Sequence, residues 1–204
     1  MTSRKDFIAD NFPFKKDLEG ITLKMLEQHF KLYEGYVKKT NEIRGKLETA
    51  DKSLSNGVYS EIGEMKRQET FAVNGMKLHE VYFGHLQGSG TPEGELLKMI
   101  EADFGSLDAW KEDLIATGMS ARGWAITAYD FKDNRLHNYA SDAHNVGAVW
   151  GAIPVIVLDV YEHAYFMDYG VSRKAYIDSF FKNLDWGFAN KIVEQYGLAE
   201  KHQK

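Results

Sequence analysis

Cysteine is absent from all 204 residues. That excludes disulfides, thiolate catalysis and cysteine-rich zinc sites. Long apolar runs are absent too: none approaches the roughly 18 residues that mark a membrane-spanning helix. The first residues, MTSRKDFIADNFPFKK, contain no apolar stretch of the kind found inside a secretory signal. The expectation is a cytoplasmic protein with no membrane partner. An excess of basic charge is missing as well, since 25 Lys and Arg stand against 30 Asp and Glu, a formal net charge of −5. Without a long basic stripe there is little to displace counterions from phosphates, so no nucleic-acid partner is expected. An anionic substrate would have to be drawn in by local positive charge, not by the net charge. No internal repeat and no low-complexity tract is found.

What is present suits a globular chain of one large domain or two small ones. Hydrophobic residues make up 44% and charged residues 27%, ordinary values for such a protein. Aromatics reach 13% and crowd into the last third, which predicts a dense core there and an oligomer contact.

Residues 1–20 read as an irregular arm with Phe12, Pro13 and Phe14 packed on the body. Thr22 is placed to cap a long amphipathic helix in which Leu23, Leu26, Phe30, Tyr33 and Val37 recur at helical spacing, continuing to Ile43 and Leu47. A polar, turn-rich stretch at 50–61 separates it from a second helix over about 60–87, with Phe71, Leu78, Tyr82 and Leu86 on one face. Together they predict an antiparallel helical hairpin. The segment QGSGTPEGE (87–95) is the domain boundary, with a capping pattern starting at Thr91. Helices over 92–103 and 106–121 follow. Segments 124–131 and 135–141 alternate like a β-hairpin, 153–160 reads as a buried third strand, and helical spacing resumes over 172–196. The fold class is therefore α+β: a helical hairpin domain (1–88), then an α/β domain (89–204) with a three-stranded antiparallel sheet.

Asp159 and His163 lie four apart at the end of the apolar strand, where a strand end and a helical turn can aim both at one point. His29 sits among the apolar residues of the first helix and His79 among those of the second. A lone histidine on an apolar face is more often a satisfied core residue. Two of them on facing arms of one hairpin, however, need partners for their nitrogens. Three imidazoles and one carboxylate suit a first-row transition metal better than calcium or magnesium. The residues alone do not separate a zinc hydrolase from an iron or manganese redox site.

Residues 159–186, DVYEHAYFMDYGVSRKAYIDSFFKNLDW, resemble the signature of the iron/manganese superoxide dismutase family: D-x-W-E-H-A-Y-x-x-x-Y, then R-x-x-Y, then N-x-x-W. Asp159, Glu162, His163, Ala164, Tyr165, Tyr169, Arg173, Tyr176, Asn183 and Trp186 fall in place. Gly123-Trp124 and FGSLDAWKEDL (104–114) match further elements, and the similarity covers most of residues 20–197. The resemblance implies one iron or manganese ion per subunit, held by His29, His79, Asp159 and His163 with a water or hydroxide as fifth ligand. The implied reaction turns two superoxide anions and two protons into dioxygen and hydrogen peroxide by redox cycling of that ion. Tyr36 corresponds to a gateway tyrosine. Glu162 and Tyr165 correspond to residues that reach across a homodimer, Glu162 toward the ligand histidine of the second copy; a tetramer is the alternative assembly. Arg173 is a source of local positive potential or, equally, a partner in a structural ion pair.

Several positions depart from the family pattern. The first helix normally reads H-x-x-x-H-x-x-x-Y, whereas His29 and Tyr36 are seven apart and the second histidine is missing. A one-residue deletion explains this best, since Thr22 and Leu26 then match as well; holding Tyr36 fixed would put Gln28 on the ligand position. Leu32 or Tyr33 is left at the channel mouth. Phe83 and Tyr161 replace tryptophans. Gly75 stands where iron-type members often carry a glutamine, and His144 where manganese-type members do. A glycine at 75 leaves room for His144 to reach in and bond the metal-bound solvent; the alternative is an exposed loop histidine. Trp124 completes the aromatic wall. His85 and His137 have no assigned partner, and His202 is expected to be solvated in a charged tail. A hydrolase on the same ligands lacks a general-base motif, and a non-enzymatic relative would be expected to have lost ligands.

Overall fold

A computed structural model describes residues 5–202, so the first four residues of the expected N-terminal arm lie outside it. Thr22 caps α1 (Leu23–Thr49) by accepting from the Met25 amide at 3.2 Å. Ser60 does the same for α2 (Glu61–Gly84) through the Gly63 amide at 3.1 Å. Glu61 and Glu64 in its first turn suit the positive end of the helix dipole. His29 meets His79 and Arg44 meets Glu69, so the two helices run antiparallel. The arm before α1 is strapped to it: Asn41 bonds both the amide and the carbonyl of Phe7 (3.0 and 2.8 Å). Phe14 is buried and Phe12 packs edge-on against Phe14 and Phe30. Pro13, expected to pack with them, is exposed, because extended backbone turns alternate side chains outward.

After the glycine-rich connection come α3 (Gly94–Phe104) and α4 (Leu107–Ser120), then β1 (Trp124–Asp130), β2 (Arg135–Ser141) and β3 (Ala152–Asp159). The sheet has the order β2-β1-β3 and is antiparallel throughout. Between Thr127 and Ala128 the register against β3 shifts and leaves Val155 as an extra residue beside Pro154. A bulge on an edge strand is where a proline is tolerated. The register still sets Trp124 opposite Asp159, the pairing that matters for the site.

One local reading is corrected. Thr91 does not cap α3. The helix starts after Glu93, and Asn190 from a later helix accepts the Leu96 amide at 3.0 Å and donates to the Glu93 carbonyl at 2.9 Å. The helical spacing over 172–196 is divided between α6 (Arg173–Lys182) and α7 (Trp186–Gln195), following the short α5 (Phe166–Tyr169) and preceding α8 (Leu198–Lys201). The Asn183 side chain breaks it by bonding the amide and carbonyl of Glu19, and Asp185 caps α7 through the Phe188 amide. One continuous apolar core joins the hairpin to the sheet and its helices.

Candidate metal centre

Four side chains converge where the hairpin meets the end of β3. His29 lies on the buried face of α1 and His79 on that of α2, their rings edge to face at 5.0 Å. Asp159 ends β3, and its Oδ1 accepts the Tyr161 amide at 2.9 Å, closing a turn that swings His163 back toward it. Asp159 Oδ2 stands 3.2 Å from Nε2 of both His29 and His163, and 3.5 Å from Nε2 of His79. One ligand atom from each of the four lies within 4.8 Å of the others.

The electrostatics of the cluster are those of a cation site. His79 Nδ1–H donates to the Gly75 carbonyl at 2.6 Å, one helical turn back, so its Nε2 carries a lone pair. That Nε2 is buried and has no hydrogen-bond partner among the described residues. Burial, then the neighbouring His29, brings the His79 pKa down to about 3, and burial lowers that of His29. Burial opposes ionisation of Asp159, but His163 and His29 outweigh it and hold the carboxyl well below the usual range. His163 shows the same competition from the other side: burial disfavours its charge, yet Asp159 raises its pKa. One carboxylate oxygen cannot satisfy three imidazoles. A di- or trivalent ion at their centre can, so the donor set fits iron or manganese.

The surroundings settle several alternatives. His144 is 2% exposed, not an exposed loop residue. The Trp124 indole N–H donates to its Nδ1 at 3.0 Å, and its Nε2 is 2.8 Å from the Tyr36 hydroxyl. Burial lowers the His144 pKa to about 4 and pushes that of Tyr36 up to about 12. Gly75 makes this packing feasible: a Cβ there would stand 2.9 Å from Tyr36 Cδ1 and 3.1 Å from His144 Cδ2. Tyr161 stacks on His163 at 5.0 Å, and Phe83 packs against His29 at 5.0 Å. Tyr33 is buried and bonded to the Asp10 amide and to Glu80, so Leu32, 40% exposed, faces the outside where the family pattern has a histidine.

Among the described residues Arg173 makes no ion pair of the kind considered from the sequence. Its hydrogen bonds there go to neutral oxygens, Tyr165 Oη and the carbonyls of Gly118 and Ala121, so no carboxylate among the described residues cancels its charge. Tyr165 is buried against Tyr176 and Glu162 is exposed. Two contributors escaped the sequence reading. Phe71 packs 4.5 Å from His144, and the Tyr82–Tyr176 hydroxyl pair ends on the Asp159 carbonyl. Only Phe71's place one turn before Gly75 hinted at the first. Of the remaining histidines, His137 pairs with Asp133, and His85 is buried edge-on to Phe188 with neither nitrogen bonded to a group among the described residues. His202 is not solvated: it is buried and bonds Asp103 at 2.8 Å, which the C-terminal turn of α8 brings back onto α3.

Comparison with known proteins gives the family. Residues 92–192 match the family described as iron/manganese superoxide dismutases, C-terminal domain. A protein named superoxide dismutase [Fe] from Aquifex pyrophilus is 48% identical over 186 residues, 88% of this chain and 87% of its own length. One of the same name from Cupriavidus metallidurans is 39% identical over 83% of this chain and 86% of its own. Superoxide dismutase [Mn] from Haloarcula marismortui is 34% identical over 93% and 94%.

Proposed function

The chain belongs to the iron/manganese superoxide dismutase family and converts superoxide to dioxygen and hydrogen peroxide on a single iron or manganese ion, and we propose that His29, His79, Asp159 and His163 hold that ion. The observation that carries the proposal is the buried, unpartnered Nε2 of His79, aimed at three other donors within reach of one cation. The bound ion supplies the one-electron exchange with superoxide. The chain's residues supply the rest. A single carboxylate among the four donors leaves a di- or trivalent ion with net positive charge, which reconciles an anionic substrate with an acidic chain. Tyr36 and His144 form the hydrogen-bonded wall from which protons reach the reduced oxygen species. Phe83, Tyr161 and Trp124 keep bulk water from the ligands.

Iron is the working metal in this reading. His144 enters the space that Gly75 leaves, and the 48%-identical relative is named for iron, the 34%-identical one for manganese. Superoxide consumption by protein loaded with each metal separately tests this. Higher turnover with iron is expected; activity with manganese alone would overturn it.

The unit is read as a homodimer of two-domain subunits, residues 1–88 and 89–204. His163 is the one ligand with appreciable exposure, 26% of its side chain, and exposed Glu162 adjoins it. Phe166, Met167 and Val171 expose an apolar surface nearby in the sequence. A Glu162 from a second copy would orient the His163 ring through its free nitrogen. Sedimentation should give a dimer for the parent chain, and Glu162→Ala should weaken both association and metal retention. A monomeric parent would remove this part of the reading.

A further inference from the structure

We propose that Trp124 is a positioning residue that fixes the direction of the hydrogen bonds at the site, so that Tyr36 is the group obliged to donate to the small anion bound there. The inference rests on the metal-site reading and concerns which atoms carry hydrogen.

An indole N–H can only donate. The Trp124 Nε1 lies 3.0 Å from His144 Nδ1, so that ring nitrogen must present a lone pair. A doubly protonated ring is excluded by the same contact, because its Nδ1 hydrogen would face the indole hydrogen head-on. The one hydrogen of the neutral imidazole therefore sits on Nε2, 2.8 Å from the Tyr36 oxygen. His144 donates and Tyr36 accepts. The phenolic hydrogen is thereby left for another acceptor, and among the described residues no protein group takes it. Tyr36 lies beside the ligand His79, ring centroids 5.3 Å apart, so the acceptor within its reach is whatever small oxygen species occupies the metal centre.

A carboxamide at position 144 would accept from Trp124 through its oxygen and still have two hydrogens to give. The imidazole has one, and Tyr36 takes it. In this chain the donor to the reacting oxygen is accordingly Tyr36, and its orientation depends on a tryptophan that does not touch the substrate. Without the indole hydrogen, Nδ1 could be protonated, Nε2 would become an acceptor, and Tyr36 would turn its hydrogen toward His144. The chain resists other rearrangements. Trp124 is fully buried, packs edge-on against His79 at 5.0 Å and is held opposite Asp159 in the sheet. The loop carrying His144 is tied to α2 by the Asn145 amide on Thr70 Oγ1 at 2.8 Å.

Neutron diffraction from deuterated, metal-loaded crystals reads the arrangement directly. We expect deuterium on His144 Nε2 and not on Nδ1, with the Tyr36 deuteron directed away from His144. Deuterium on Nδ1, or a Tyr36 deuteron between the two side chains, overturns the proposal. This holds whether or not the crystals are active, so its failure is distinct from loss of the metal site, which metal content reports. Binding of azide to the iron-loaded protein is the second test. Trp124→Phe should weaken it at least about tenfold at unchanged iron content, whereas His144→Gln, which preserves the direction of donation, should keep the affinity within about threefold. Unchanged azide affinity in Trp124→Phe contradicts the proposal. Should that variant fail to fold, His144→Glu against His144→Gln gives the same contrast, because a carboxylate can only accept and takes the phenolic hydrogen of Tyr36, and equal affinities contradict it.

Discussion

Gly75 is a residue whose side chain matters by being absent. Its carbonyl holds His79 in the tautomer a metal needs, and its missing Cβ admits Tyr36 and His144. Gly75→Ala should fold, because the position is helical, but must move one ring by a few tenths of an ångström. We expect a loss of about 1–3 kcal/mol in urea unfolding from overpacking and a drop in superoxide turnover of about tenfold or more from the displaced donors. His85 is the opposite case, a buried imidazole whose nitrogens bond no group among the described residues. Burial brings its pKa to about 3, below the 6.5 of the unfolded chain. The unfolded state alone takes up that proton as pH falls below 6.5, so the contribution of His85 to stability is intact above 6.5 and is lost toward pH 3, at about 1.4 kcal/mol per pH unit. His85→Leu should remove that slope. Comparing urea midpoints of variant and parent at pH 7 and pH 5 checks it; a parallel pH response would refute it. At this scale the sequence was most informative for Asp159 and His163, embedded in a long motif. His29 depended on accepting a deletion, and the hydrogen-bond partners of His144 depended on a loop whose course no periodicity encodes.

The deletion itself is best understood at the scale of the element. Seven residues are close to two full turns of an α-helix, so His29 and Tyr36 share a face, and α1 runs unbroken from Leu23 to Thr49. Helix and strand positions were legible because apolar residues recur with the period of each element and Thr22 caps locally. What was not legible depends on partners far along the chain. Asn190 caps α3 from 94 residues away, and Asn183 interrupts the last helical stretch by bonding Glu19 from 164 residues away. Asn190→Ala should therefore destabilise by about 1–2 kcal/mol through the start of α3, not through α7 alone. Faster amide exchange at Leu96 would register it. The Asp103–His202 contact is a second long-range clasp. Asp103 also accepts the Leu136 amide, so His202→Ala leaves a buried carboxylate short of a partner. A loss of about 3 kcal/mol in thermal or urea unfolding is expected, with metal content and turnover unchanged because the clasp lies outside the site.

For the whole molecule, the four proposed ligands would tie two halves together: two come from the helical hairpin, two from the end of the sheet and the turn after it. The α+β order, hairpin first, was readable because each half has its own period and a glycine-rich stretch lies between them. The single continuous core across that stretch was not, since burial between halves leaves no local pattern. A metal bound to both halves stabilises only the folded state. Its removal should lower the melting temperature by about 10 °C, taking about 4 kcal/mol for a ligand at a thousand times its dissociation constant. Reloading with iron should restore it. The most direct test of the four-ligand assignment is anomalous diffraction from crystals of protein grown with both iron and manganese, recorded at both absorption edges. One strong peak per chain, within bonding distance of His29 Nε2, His79 Nε2, His163 Nε2 and Asp159 Oδ2, is the predicted result. A peak elsewhere, or no iron or manganese at these four residues, would contradict the account.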